Sequence, residues 1–163
     1  MELTREEEKS LSGEHGEVLQ TAYRILSATG EATDAERLVP IHWAHVSGVN
    51  YNTIGDAGEE FLATLSKSAK FKVRTTVNPM GYDKDSVEKF GLDENFIQKQ
   101  ESIRESYKKM GAIPTFSCIP YELYDMPREG TQVSFAESNA AIYANSIDKL
   151  KTKQESGFSA LAS

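Results

Sequence analysis

Apolar residues along the chain recur at helical spacings in several blocks. Val18, Leu19, Ala22, Ile25 and Leu26 stand one, three or four positions apart, which puts them on one face of a helix running to about Gly30 and predicts that this face is core. Upstream, Thr4 and Glu7 have the spacing of a capping box, in which each side chain satisfies the other's free backbone donor, and Gly13 marks the end of a short first helix. Phe61, Leu62 and Leu65 supply the apolar face of a third helix, with Asp56 and Glu59 repeating the cap pattern ahead of them. Asp93 caps a longer helix, in which Phe96, Ile97, Gln100, Ile103, Tyr107 and Met110 form a stripe. Gly111 stands where a left-handed C-cap belongs. Ser138 or Asn139 caps a helix from Ala140 to Ile147.

Between the helices the pattern changes to short β-compatible runs. Leu38 to Val46, which contains His42, Trp43 and His45, reads as a buried strand, and Gly48 opens the loop after it. Lys72 to Val77 is a second strand, followed by the turn residues Asn78, Pro79 and Gly81. Ile113 to Cys118 and Gln132 to Phe135 complete the set. Strand alternating with helix predicts an α/β fold with mainly parallel strands and flanking helices. No repeat, low-complexity segment or linker divides the chain, and Asp148 to Ser163 is polar until Phe158, where another element starts.

A chain of 163 residues can bury a sizeable core, and 39% hydrophobic with 26% charged residues is the composition of a soluble globular domain. Acidic residues outnumber basic ones 25 to 18, giving a net charge of -7, so nucleic acid is not an expected partner. No run approaches the ~20 apolar residues that span a bilayer, and the acidic start lacks a signal-peptide pattern; no membrane association and a cytoplasmic location are expected. Cys118 is the only cysteine, which excludes an internal disulfide and leaves a buried thiol, a reactive thiol or one metal ligand. His15, His42 and His45 lack the spacing of a zinc site, and no P-loop, dinucleotide fingerprint or nucleophile elbow is present.

In parallel α/β sheets ligands gather beyond the carboxyl ends of the strands, which directs attention to three segments. In residues 46–60, Gly55 and Gly58 flank Asp56, either as a helix start whose free donors hold an anion or as an ordinary cap. Thr75, Thr76 and Asn78 offer two hydroxyls and an amide to a hydroxy acid, or form a turn. Pro114 and Pro120 stiffen the chain around Cys118, as a ligand site or as inert packing.

Together these strings resemble the aconitase X family. The likeness runs from LTREEEKSLSGEHGE through GVNYNTIGDAG, TTVNPMGYD, PTFSCIPY and FAESNAAIYANS to ESGFSAL, and so covers essentially the whole chain. It implies that residues 1–163 are the N-terminal part of an aconitase-like catalytic domain, with the swivel domain and the remaining catalytic segments supplied elsewhere. It also implies an iron–sulfur cluster, of the 4Fe-4S type, held on three cysteines of which Cys118 is the first. The IGDAG and TTVNPMG forms are similar to the archaeal-type large subunit that dehydrates mevalonate 5-phosphate, more than to the hydroxyproline dehydratases of the family. By that likeness Gly55, Asp56, Thr76, Asn78, Glu137 and Ser138 bind substrate, a small phosphorylated hydroxy acid, and the general base lies on the small swivel subunit. One thiolate does not retain a cluster, so the chain by itself is expected to be inactive. Where relatives carry two arginines and two glycines, this chain has Lys151, Gln154, Lys149 and Ser156. Lysine lacks the planar fork with which arginine holds a carboxylate or phosphate. A non-catalytic remnant or interaction protein that keeps this N-terminal fold is the alternative.

Overall fold

Strands β1 (Trp43–Val46), β2 (Arg74–Val77), β3 (Ile113–Pro114) and β4 (Ser134–Phe135) form a parallel sheet in the order β3-β2-β1-β4. The structure is a computed structural model and describes residues 1–79, 82–153 and 155–163. Because side chains alternate along a strand, the register Trp43 opposite Arg74, His45 opposite Thr76 and His45 opposite Phe135 puts these five residues on one face. Val46 and Val77 point to the other face, where helices α3 (Tyr51–Leu65), α5 (Glu94–Met110) and α7 (Gly157–Ala162) bury Leu62, Ile103, Tyr107 and Ala160 against them. The first face is closed by helix α6 (Ser138–Ser146) and by Tyr121, Tyr124 and Met126, which pack on Trp43 and Phe135.

Several elements form as their local chemistry predicts. Helix α1 (Arg5–Ser12) carries both halves of the Thr4–Glu7 capping box and ends at Gly13 with φ 95°. Asp93 accepts from the Phe96 amide at the start of α5, and Gly111 ends it with φ 100°. Lys151 and Glu155 lie beside β4, where Val133 N donates to Lys151 O at 3.0 Å and Glu155 N to Phe135 O at 3.1 Å. The element expected near Phe158 is α7, opened by a Ser156–Ser159 capping box.

Other expectations are corrected. The apolar face of helix α2 (Glu17–Ala32) is half-buried rather than core, and only Ser27 and Gly30 of that helix are buried. The helix lies against α1 and the short α7 instead of the sheet, so its neighbours are too thin to cover it. The strand expected from Leu38 begins only at Trp43, because Pro40 has no N–H to donate and residues 38–41 line a cleft of about 920 Å³. Strand β3 ends at Pro114, with one further ladder bond from Thr115, rather than reaching Cys118, and Phe116, at φ 52°, turns the chain away from the extended region. Helix α3 starts at Tyr51, where Asn50 accepts from Thr53 N at 3.1 Å, and Gly55 interrupts it with φ 62° and ψ -168°. Neither Ser138 nor Asn139 is the cap of α6; Glu137 holds that position, without a capping side-chain bond. The strand read from Gln132 is shorter, with Gln132 bridged instead to Lys151. A short 3-10 turn (Lys84–Ser86) and helix α4 (Val87–Phe90) add an excursion that the pattern did not announce. The turn residue Gly81, with Met80, lies outside the described residues.

Candidate functional site

All four strands run the same way, so their carboxyl ends meet at one edge. The ladder continues past them: Asn78 N donates to Val46 O at 2.9 Å, Thr115 N to Val77 O at 2.8 Å and Ala136 N to His45 O at 3.0 Å. Beyond this edge the segment 115–122 crosses the sheet to reach α6. Its anchor is the face-to-face stack of Tyr121 on Tyr143, with centroids 3.8 Å apart. Asn139 Nδ2 donates to Cys118 O at 3.3 Å and stands 3.9 Å from Cys118 Sγ, so the half-buried sulfur faces the first turn of α6. An amide donor and a helix N-terminus suit a sulfur that carries negative charge.

The Glu137 side chain makes no capping bond at the start of α6; its carboxylate accepts instead from the Ser47 hydroxyl across the edge. That bond ties the end of β1 to the start of α6. Ser138, the first residue of α6, is exposed beside it. Asn78 is half-buried, and its Oδ1 has no partner among the described residues, leaving a buried acceptor at the end of β2. Asn78, Cys118, Glu137 and Ser138 therefore share one edge.

The other three sequence candidates, Thr76, Gly55 and Asp56, are engaged in other contacts. Thr76 is fully buried within β2, where its hydroxyl accepts from the Trp43 indole at 2.8 Å and lies 2.9 Å from His45 Nδ1. Gly55 forms the kink of α3, and Asp56 follows it on the exposed side. Asp56 accepts from the Tyr51 hydroxyl at 2.9 Å and pairs with Lys99 at 3.0 Å; Lys99 also reaches Glu59 at 3.1 Å. The hydrogen bond from Lys99 holds the Asp56 carboxyl below its ordinary range, the Ser102 hydroxyl does the same for Glu59, and the two carboxylates push Lys99 upward. This exposed network straps α3 to α5.

His45 is buried on the sheet face against Phe135, with Nε2 unpartnered among the described residues. Desolvation lowers its pKa to about 4, so it is neutral at neutral pH. His15 bonds to Ser10 near the surface. Among the described residues no group of three or more His, Cys, Asp or Glu could hold a metal ion.

Sequence reasoning missed two residues that shape this edge. Ser47 lies beside Gly48 at the start of a loop, and nothing in its sequence neighbourhood signals the bond to Glu137. Gln100 carried a signal, being the polar member of an otherwise apolar stripe. It is fully buried, accepts from Tyr51 N at 2.9 Å and donates to Pro79 O, clamping the loop after β1 to the turn after β2.

Comparison with known proteins places this geometry. The aconitase X first domain matches residues 1–163. The chain belongs to the aconitase X family. It is 46% identical over 163 residues to the phosphomevalonate dehydratase large subunit of Methanocaldococcus jannaschii, covering 99% of this chain and 40% of that one. The crystal structure of Thermococcus kodakaraensis aconitase X, in its holo-form, superposes with a TM-score of 0.83 at 44% identity, covering 99% of this chain and 40% of that one. Cis-3-hydroxy-L-proline dehydratase of Pseudomonas aeruginosa is 36% identical over 149 residues, 91% of this chain and 25% of that protein. This chain thus spans about two-fifths of the length of its archaeal relatives.

Lys149, Lys151 and Ser156 each take a distinct place in the tail. Lys149 has φ 51°, the left-handed region that glycine enters freely and lysine does not. Gly157 is the point of close approach: a Cβ there would stand 2.5 Å from the backbone oxygen of Ser47. Ser156 serves as the cap of α7, Lys151 is exposed beside β4, and Gln154 lies outside the described residues.

Proposed function

We propose that this chain is the first domain of a hydro-lyase large subunit and contributes one face of a dehydratase active site. The observation that carries the reading is the meeting of Cys118, Glu137, Ser138 and Asn78 at the carboxyl edge of the sheet, in a chain of this family. A single thiol cannot hold an iron–sulfur cluster, which takes three or four protein ligands, so Cys118 is one ligand of a 4Fe-4S centre completed by other segments. When bound, such a centre supplies a Lewis-acidic iron for a substrate hydroxyl.

The residues of this chain then bind and orient. The free amides of the α6 first turn and the Ser138 hydroxyl accommodate an anionic oxygen, and Asn78 Oδ1 accepts from a hydroxyl. Ser47 fixes the Glu137 carboxylate so that it presents its remaining lone pairs to the edge. Thr76 acts from beneath by holding Trp43 and His45 in the sheet, and Gly55 with Asp56 sets the direction of α3. The general base resides on a small swivel subunit, the substrate is mevalonate 5-phosphate, and the assembly is cytoplasmic; the names of the archaeal relatives support the substrate and the two-subunit organisation. Among the described residues no helix is long and apolar enough to cross a membrane.

The test is anaerobic reconstitution of the chain with the complementary polypeptides, measuring iron, sulfide and dehydration of mevalonate 5-phosphate. Activity that disappears with Cys118→Ala supports the reading; an assembly without iron and sulfide refutes it. A second reading, a non-catalytic interaction protein, is favoured by Lys149, which occupies a left-handed position with its ammonium turned to exposed Glu129 at 3.4 Å. It predicts a stable fold that never acquires iron.

A further inference from the structure

Gln100 is a polar side chain on a buried face of α5 that it shares with Ile103, Tyr107 and Met110. A buried amide costs stability unless its donor and acceptor are both used. Here both bonds leave the helix: Oε1 accepts from Tyr51 N at 2.9 Å, and Nε2 donates to Pro79 O. Tyr51 is the first residue of α3, at the end of the loop after β1, and Pro79 directly follows Asn78 in the turn after β2. The loop after β1 is also fixed at its other end, where Gly157 of α7 lies so close that a Cβ would stand 2.5 Å from the Ser47 carbonyl oxygen. Ser47 in turn holds Glu137. Beside Gln100, Lys99 pairs with Asp56 and Glu59 and keeps α5 in step with α3. One side-chain amide therefore sets how the Asn78 side of the carboxyl edge stands relative to the Ser47–Glu137 side.

We propose that Gln100 is a positioning residue of this site: it fixes the span between Asn78 and Glu137, and through that span the affinity for a small anionic hydroxy acid that bridges them. Gln100 is fully buried and acts on such a ligand only through the two loops it joins. A ligand gripped from both sides is sensitive to this spacing, because a misplacement of about 1 Å by a change remote from the chemistry can cost on the order of 100-fold. The amide is also the side chain suited to the task, since it offers the acceptor that Tyr51 N needs and the donor that Pro79 O needs on one planar group. Leucine would fill the same space in the stripe but satisfy neither loop.

The inference rests on the reading above for the ligand, and the experiment separates the two. The full chain, reconstituted with its complementary polypeptides, is titrated with mevalonate 5-phosphate. Gln100→Leu should raise Kd and KM about tenfold or more, while iron, sulfide and the yield of assembly stay at wild-type levels. Gln100→Glu keeps an acceptor for Tyr51 N and should fall between the two; it carries the comparison if Gln100→Leu does not assemble. Ile103→Val, which trims the same buried face without removing a hydrogen bond, should leave Kd unchanged. Combined with Asn78→Ala, Gln100→Leu should weaken binding by less than the product of the two single effects, because one acts through the other. In the 15N-labelled chain alone, Gln100→Leu should shift the Asn78 side-chain amide and the Ser47 amide together and leave Val133 in place. A wild-type assembly that does not bind mevalonate 5-phosphate overturns the reading above and this inference with it. Binding that the Gln100 variants leave unchanged, that Ile103→Val weakens equally, or that shows independent effects of Gln100 and Asn78 overturns this inference alone.

Discussion

Protonating His45 should destabilise the fold over a defined pH range. The imidazole has no exposed surface, its Nδ1 lies 2.9 Å from the Thr76 hydroxyl, and its Nε2 has no partner among the described residues. Desolvation alone depresses it, and on the same sheet face the Arg74 guanidinium is stacked 4.4 Å over the Trp43 ring. Burial lowers its pKa to about 4, whereas the unfolded chain binds the same proton near the ordinary value of 6.5. The sign follows from linkage. The depressed group adds stability that is complete above pH 6.5 and is lost as the pH falls toward 4, because the unfolded state takes up the proton first. From those two values, moving from about pH 7.5 to about pH 5 should cost roughly 2 kcal/mol. Urea unfolding across that range should show the loss in the wild-type chain and a flatter profile in His45→Gln. Equal slopes in the two proteins, or an NMR titration of His45 with a midpoint near the ordinary histidine value, would refute the reasoning.

Thr76→Val keeps the shape of the side chain but leaves the Trp43 indole without its acceptor, and should cost about 1–3 kcal/mol in urea unfolding. Gly157→Ala forces a Cβ onto the Ser47 carbonyl and should destabilise by about 1–3 kcal/mol, with a shift of the Ser47 and Val49 NMR signals as the local check. Gln100→Leu strands Tyr51 N and Pro79 O, with an expected loss of about 2–3 kcal/mol and faster hydrogen exchange at the Tyr51 amide.

The sequence was most informative where a local interaction decides the structure. Thr4 with Glu7, and Asp93 with Gly111, satisfy the free ends of their helices by themselves, so both helices were legible. The start of α3 was misread because Asn50 and Asp56 are both competent caps, and only the kink at Gly55 shows how a helical turn can precede the second. Strand length depended on partners rather than on β propensity: Leu38 to Ile41 and Thr115 to Cys118 read as strand but have no sequence mark for where pairing stops, apart from their prolines. Cys118 stands out as the one thiol, Glu137 and Ser138 are reached through family strings, and their meeting at one edge follows from the strand order, which spacing along the chain does not encode. The half-exposed face of α2 shows the limit of periodicity, which finds the apolar side of a helix but not how much of it a neighbour covers.

The Gln100 amide has a mechanical consequence. With one end on Tyr51 N and the other on Pro79 O, it acts as a single rivet through two loops. Neither loop can swing away without leaving buried polar groups unpaired, so displacement of one removes the restraint on the other. The two should open as one cooperative unit, with a common opening free energy at their protected amides, and any ligand that pulls on one loop transmits its strain to both strand ends at once.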